Sequence, residues 1–239
     1  MALLRGQPYQ LTGCPSLACN HSLQVSRLVH SAVNGLVVLA DVVRSRQIEH
    51  RNAFHTELTT ALDTVNTRYE GQLTADFKIL KGIDEFGGVL DSLRSVYPIL
   101  VTVLDSVRPQ RIRFALARGS ITSDEDERSI ARMDGDAFHR AADLLSTIES
   151  EGLWFDMEIP QSRIGRAIAD EINLLLELRY RTTDREFQTI RAYEESGTQT
   201  AAADRLGITQ QTVSDTLERS GWKLAQRVEQ RLDARIEQL

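Results

Sequence analysis

Three carboxylates in the first half of the chain stand where side chains reach the rim of a sheet: Asp41, Asp84 and Glu85. Asp41 closes the run Gly35-Leu36-Val37-Val38-Leu39-Ala40-Asp41-Val42-Val43, whose aliphatic and β-branched residues mark a buried central strand with the aspartate at its cleft end. Asp84 and Glu85 belong to Lys81-Gly82-Ile83-Asp84-Glu85, a turn by length and glycine content. It joins expected strands over 76–80 and 86–90. Carboxylates gathered at one sheet edge are suited to hold Mg²⁺ against a nucleoside triphosphate. Arg44, Arg46 and Arg51, with Arg113 and Arg118, could form an anion pocket around that edge. The alternative is that they pair with Asp41, Asp84 and Glu85, which would neutralise the metal site.

Other reactive side chains are less well placed. Cys14, Cys19 and His21 lack a fourth ligand and a second close pair, so no metal is firmly expected there. His50 and His55 stand five apart on an expected helix, the wrong step for one face. Zincin, nucleophile-elbow and P-loop patterns are missing, and no catalytic residue is assigned.

The elements that must position the carboxylates follow from periodicity. After a poorly ordered leader over 1–33 come a strand ending at Val43, a helix carrying Ile48, Leu58, Leu62, Val65 and Tyr69, and the hairpin. Next are a helix over 91–107 stopped by Pro109, a strand over 111–118, an acidic loop over 123–127, a helix over 136–150 and a strand over 152–159. The fold class expected is α+β. A ferredoxin-like domain over 34–160 is followed by a linking helix over 161–183 and an all-α domain over 184–239.

The all-α part reads as a helix-turn-helix. A helix over 184–196 ends at Gly197, and Thr198 begins a second. Ala202 allows close crossing, Leu206 is buried, Gly207 takes the left-handed turn, Thr209 caps the next helix, and Val213 and Leu217 anchor it. Thr198, Gln199, Thr209, Gln210, Gln211, Thr212, Ser214 and Asp215 are then candidates to meet double-stranded DNA. Arg219 and Lys223 begin a stripe continued by Arg227, Arg231 and Arg235, read either as a phosphate track or as a solvated face. Beside it Leu217, Leu224, Val228, Leu232, Ile236 and Leu239 form a seam suited to a homodimer.

Charge tempers this. The chain carries a formal net charge of −6, which excludes a protein devoted to unspecific coating of nucleic acid. From 184 to 239 acids outnumber bases ten to eight. No apolar run is long enough to span a bilayer, no signal peptide is evident, and two cysteines suit a reducing compartment. A cytoplasmic protein without a membrane partner is expected.

Two resemblances rest on these residues. Gly82-Ile83-Asp84-Glu85-Phe86 resembles the GGDEF hairpin of diguanylate cyclases, and Ala40-Asp41-Val42-Val43 resembles the first metal-binding strand of those enzymes and of class III nucleotide cyclases. Over nearly everything after Asn34 the chain resembles the SatD family. The stretches are Asp41-Val42-Val43-Arg44-Ser45-Arg46 with Arg51, then Ile83-Asp84-Glu85-Phe86, then 111–119, then Met133-Asp134-Gly135-Asp136-Ala137-Phe138. The SatD resemblance implies a regulator with a cyclase-like first domain and a terminal helix-turn-helix, without an assigned reaction. One departure stands out: Ile83 replaces a glycine, and a β-branched side chain resists positive φ and blocks phosphate approach to the backbone.

The leading expectation is therefore a sequence-specific DNA-binding transcriptional regulator with a degenerate cyclase-like sensory or dimerisation domain. The second is a metal-dependent nucleotide-binding or cyclase-like enzyme using Asp41, Asp84 and Glu85.

Overall fold

The computed structural model describes residues 32–122 and 128–237. Of the leader expected over 1–33, residues up to 31, with Cys14, Cys19 and His21, lie outside the described residues, as do the acidic loop over 123–127 and Leu239. Ala32 and Val33 belong to the first strand rather than to a leader.

Strand β1 (Ala32–Val42) forms the centre of a five-stranded sheet, as its aliphatic run requires. A short 3-10 turn, Ser45–Gln47, intervenes before helix α1 (Arg51–Arg68), which buries Phe54, Leu58, Ala61, Leu62 and Val65 at helical spacing. Strands β2 (Leu73–Lys81) and β3 (Glu85–Leu90) form the hairpin, followed by helix α2 (Val96–Ser106). Strand β4 (Ile112–Thr122), helix α3 (Asp136–Glu151) and strand β5 (Phe155–Glu158) complete the sheet.

The strand order is β2-β3-β1-β4-β5, antiparallel except for the parallel β4–β5 pair. Alternation then sorts side chains to two faces. Leu36, Val38, Ala40 and Val42 of β1 enter the larger core, with residues of α1 and α2. Val37 faces the other way, onto Ala137 and Ala141 of α3. Asp41 shares that second face. Its register partners are Glu85 on β3 and Arg113 on β4.

Helices α4 (Ser162–Arg181), α5 (Asp184–Ser196), α6 (Gln199–Leu206), α7 (Gln210–Arg219) and α8 (Trp222–Ile236) end the chain. Helix α4 covers β5 and places Ile168, Ile172, Leu175 and Leu176 in the main core. Helices α5, α6 and α7 enclose a small core of their own around Ala192, Ala202, Val213 and Leu217.

Helix α8 then returns to α4, and its Leu232 and Ile236 are buried in the sheet domain's core. Arg179 fastens this return, with Nη1 3.2 Å from Asp105 and Nη2 3.1 Å from Glu229. Glu229 also accepts from the Tyr97 hydroxyl at 2.6 Å. The seam expected to join two copies is thus largely used within one chain, leaving Leu224 63% exposed. Among the described residues no helix is long and apolar enough to cross a membrane.

Candidate functional site

A cleft of about 1250 Å³ opens where β1 ends, between the second face of the sheet and the later turns of α3. Asp41, Arg44, Ser45, Arg46, Glu85 and Arg113 line it, with Ser146 and Glu149 of α3 opposite. The register explains the convergence: Asp41 sits between Glu85 and Arg113, and the Val42 amide donates to the carbonyl of Asp84 at 3.0 Å.

Asp84 accepts from the Ser45 hydroxyl at 2.9 Å, which ties the hairpin to the turn after β1. Burial, reinforced by the like charges of Asp84, Glu149 and Glu85, lifts the Asp41 carboxyl to about 6 against the opposing pull of Arg113. Arg113 Nη1 lies 3.6 Å from Asp41 and 3.0 Å from Glu149, so the pairing alternative holds for this arginine. Its Nε is buried and has no partner.

Arg44 and Arg46 differ from Arg113. Both are exposed at the cleft mouth, and neither forms an ion pair among the described residues. Arg44 holds a left-handed backbone at φ 56°, the one non-glycine residue to do so among those described. Such strain in a non-glycine residue concentrates at functional turns. Arg51, in the first turn of α1, and Arg118, farther along β4, do not line the cleft.

Ile83 does not obstruct the hairpin as its residue type predicts. Gly82 supplies the positive φ, 60°, and Ile83 packs half-buried against the main core. Glu85 is the outermost carboxylate, loosely paired with Lys81 at 3.9 Å.

Among the described residues no three His, Cys, Asp or Glu side chains gather closely enough to enclose a metal. Asp41 and Asp84 provide two carboxylates on neighbouring segments. Magnesium is commonly held by one or two carboxylates, with water and substrate phosphates completing the shell. The donor set therefore fits a cation that arrives with a phosphate ligand, and does not fit a cage that holds one alone.

The far wall of the cleft was not anticipated. Trp154, just before β5, lines it with Pro109, Gln110 and Arg111. The Trp154 indole N–H donates to Glu177 at 2.9 Å, and its ring meets Tyr180 edge-on at 4.6 Å. That bond, helped by Arg181, holds the Glu177 carboxyl below its ordinary range. The signal available was an aromatic residue at the cleft end of a strand running parallel to β4.

The residues expected to meet DNA lie on α6, α7 and the start of α8. Locally the turn is as anticipated: Gly207 has φ 65°, and Thr209 accepts from the Thr212 amide at 3.1 Å. Thr198 caps α6 through the Ala201 amide. Several outward side chains are bonded to one another. Gln211 donates to Asp215 at 2.7 Å, Gln210 donates to Gln199, and Ser214 is half-buried. Arg219 is held by Glu186 at 2.9 Å and Arg235 by Glu171, which interrupts the basic stripe, while Lys223 stays exposed.

No curated protein matches the chain. The solved structures that match include a bacterial light-regulated adenylyl cyclase, at TM-score 0.40 and 10% identity, covering 54% of this chain. The chain spans 44% of that cyclase chain's length, a partial likeness that says nothing of activity. The family model "SatD family" matches residues 35–235, from β1 to the end of α8.

These findings correct the leading expectation. One family model runs unbroken through sheet and helices, and neither match brings DNA binding or transcription regulation to the chain. The structure supplies the physical reason: the last helix is built into the sheet domain, and the stripe's ends are spent on internal ion pairs. With the match covering residues 35–235, the chain belongs to the SatD family.

Proposed function

We propose that this protein is a metal-dependent nucleotide-binding enzyme acting at the cleft beside β1, in a ferredoxin-like, cyclase-type domain formed by β1–α1–β2–β3–α2–β4. The observation that carries the reading is that Asp41 lines one cleft with Arg44 and Arg46, neither of them in an ion pair among the described residues, while Asp84 stands at its edge, bonded to the cleft residue Ser45. Carboxylates alone would suit a free cation, and arginines alone a free anion. Both together suit a phosphate chain that carries its own divalent ion.

Asp41 and Asp84 would hold the cation, with Glu85 outside them, and a bound Mg²⁺ supplies charge neutralisation of the phosphates. Arg44 and Arg46 bind phosphate oxygens, and the strained backbone at Arg44 sets their approach. Arg113 positions Asp41 in the meantime, screening it from Glu149. Such a ligand is abundant in the cytoplasm, where this reading places the chain.

The test is incubation with Mg²⁺ or Mn²⁺ and each of the four nucleoside triphosphates, following consumption by chromatography beside an Asp84→Asn control. Consumption by the wild type that the control lacks supports the proposal. No consumption beyond the control, together with no nucleotide binding, removes it.

A further inference from the structure

The cleft has two chemically different ends, and their separation matches a ligand with two different ends. Asp84 and Glu85 stand beside β3, Asp41 and Arg44 end β1, Arg111 and Arg113 begin β4, and the Trp154 carbonyl accepts from the Phe114 amide at 2.9 Å, on the β5 side. From β3 to β5 is three strand steps, about 14 Å at the usual spacing. An extended nucleoside triphosphate covers that reach from base to terminal phosphate.

Resting on the nucleotide reading above, we infer that the base lies against the wall formed by Trp154 and Arg111, while the phosphates lie toward Arg44 and Arg46. Three features of the Trp154 end support this. First, the ring is fixed before any ligand arrives, by the indole bond to Glu177 and by Tyr180 behind it. A pre-oriented aromatic face offers stacking at little ordering cost.

Second, the Arg111 guanidinium stands 5.5 Å from the Trp154 ring centre and 5.4 Å from that of Tyr180, and forms no ion pair among the described residues. An arginine lodged among aromatic rings, with the Glu177 carboxylate close enough to feel its charge but not in ion-pair contact, is available as a stacking group. Third, the Gln110 amide lines the same wall, and its side chain makes no hydrogen bond among the described residues. It offers a donor and an acceptor to a base edge. The larger stacking surface of a purine makes purine nucleoside triphosphates the preferred class.

Trp154 also supplies the test, because the chain has two tryptophans and the other, Trp222, packs on Tyr193 in the helical unit at 4.9 Å. In a Trp222→Phe protein, emission reports Trp154 alone. With Mg²⁺ present, ATP or GTP should quench it. Inorganic tripolyphosphate should reverse that quenching by competition without quenching by itself. Equilibrium dialysis of labelled nucleotide measures binding independently of fluorescence. Trp154→Leu should weaken purine binding by roughly tenfold or more, with Trp154→Phe near wild type and Gln110→Ala, at a half-buried position, intermediate.

Nucleotide retained in dialysis with unchanged emission and unchanged Trp154→Leu affinity would overturn the placement of the base while leaving the nucleotide reading intact. No retention in dialysis would overturn both.

Discussion

Replacing Tyr180 by phenylalanine removes one oxygen atom and should cost far more than its size suggests. The Tyr180 hydroxyl donates to the carbonyl of Ile112 at 2.8 Å and accepts from the Ile112 amide at 2.9 Å. It stands in for a strand partner on the β5 side of β4, where the β4–β5 register begins only at Phe114. Ile112 is fully buried. Without the hydroxyl, both backbone groups lose their partner. Each unsatisfied group costs about 1–3 kcal/mol, so the pair should lose about 3 kcal/mol after relaxation. For a chain of this size that lowers the melting temperature by roughly 6–12 °C. Urea unfolding of wild type and Tyr180→Phe at fixed pH is the assay, with an unchanged m-value expected because the ring still packs on Trp154. A loss below about 0.5 kcal/mol would show that the hydroxyl does not serve both groups, and the reasoning would fail.

Further outcomes follow from the same structure. Arg44→Ala and Arg46→Ala, both at exposed positions, should leave unfolding unchanged while weakening tripolyphosphate binding about tenfold each, measured by calorimetry. Arg179→Met strands Asp105 and Glu229, each half-buried, and should cost about 3 kcal/mol while speeding proteolysis of α8; an intact α8 under limited trypsin would contradict the role given to this network. Glu186 is held below its ordinary carboxylate range by the Thr183 amide first and by Arg219 next. Its contribution to stability is therefore present above the unfolded value of 4.5 and is lost as pH falls through the lower folded value. Acid unfolding curves should show wild type and Glu186→Gln converging below that range, and parallel curves would refute the assignment.

The regular parts of this fold were legible where one face had to be buried. β1 and α5 follow from an aliphatic run and from the Gly197 end, and α1 from the spacing of Leu58, Leu62 and Val65. Ile48 and Tyr69, expected on that helix, fall outside it, with a 3-10 turn at Ser45–Gln47 preceding its start. The convergence of Asp41 with Asp84 was legible too, because a strand end and a hairpin turn leave those side chains little choice. The placement of α8 was not. Leu232 and Ile236 read equally well as a seam for another copy or for α4, since periodicity says that a face is buried and not against what. Arg219 and Arg235 likewise read as a stripe because their partners, Glu186 and Glu171, are remote in sequence. Trp154 was hidden for the same reason: its role depends on Arg111, Glu177 and Tyr180, which only the packed sheet brings together.

The central claim is that Asp41 and Asp84 act with the cleft arginines on one ligand, a nucleotide bearing a divalent cation. Equilibrium dialysis of labelled ATP and GTP, with and without Mg²⁺, on wild type, Asp41→Asn and Asp84→Asn tests it most directly. Retention should require Mg²⁺ in the wild type and disappear in both variants. Retention indifferent to the cation and to both aspartates, or none under any condition, would contradict it.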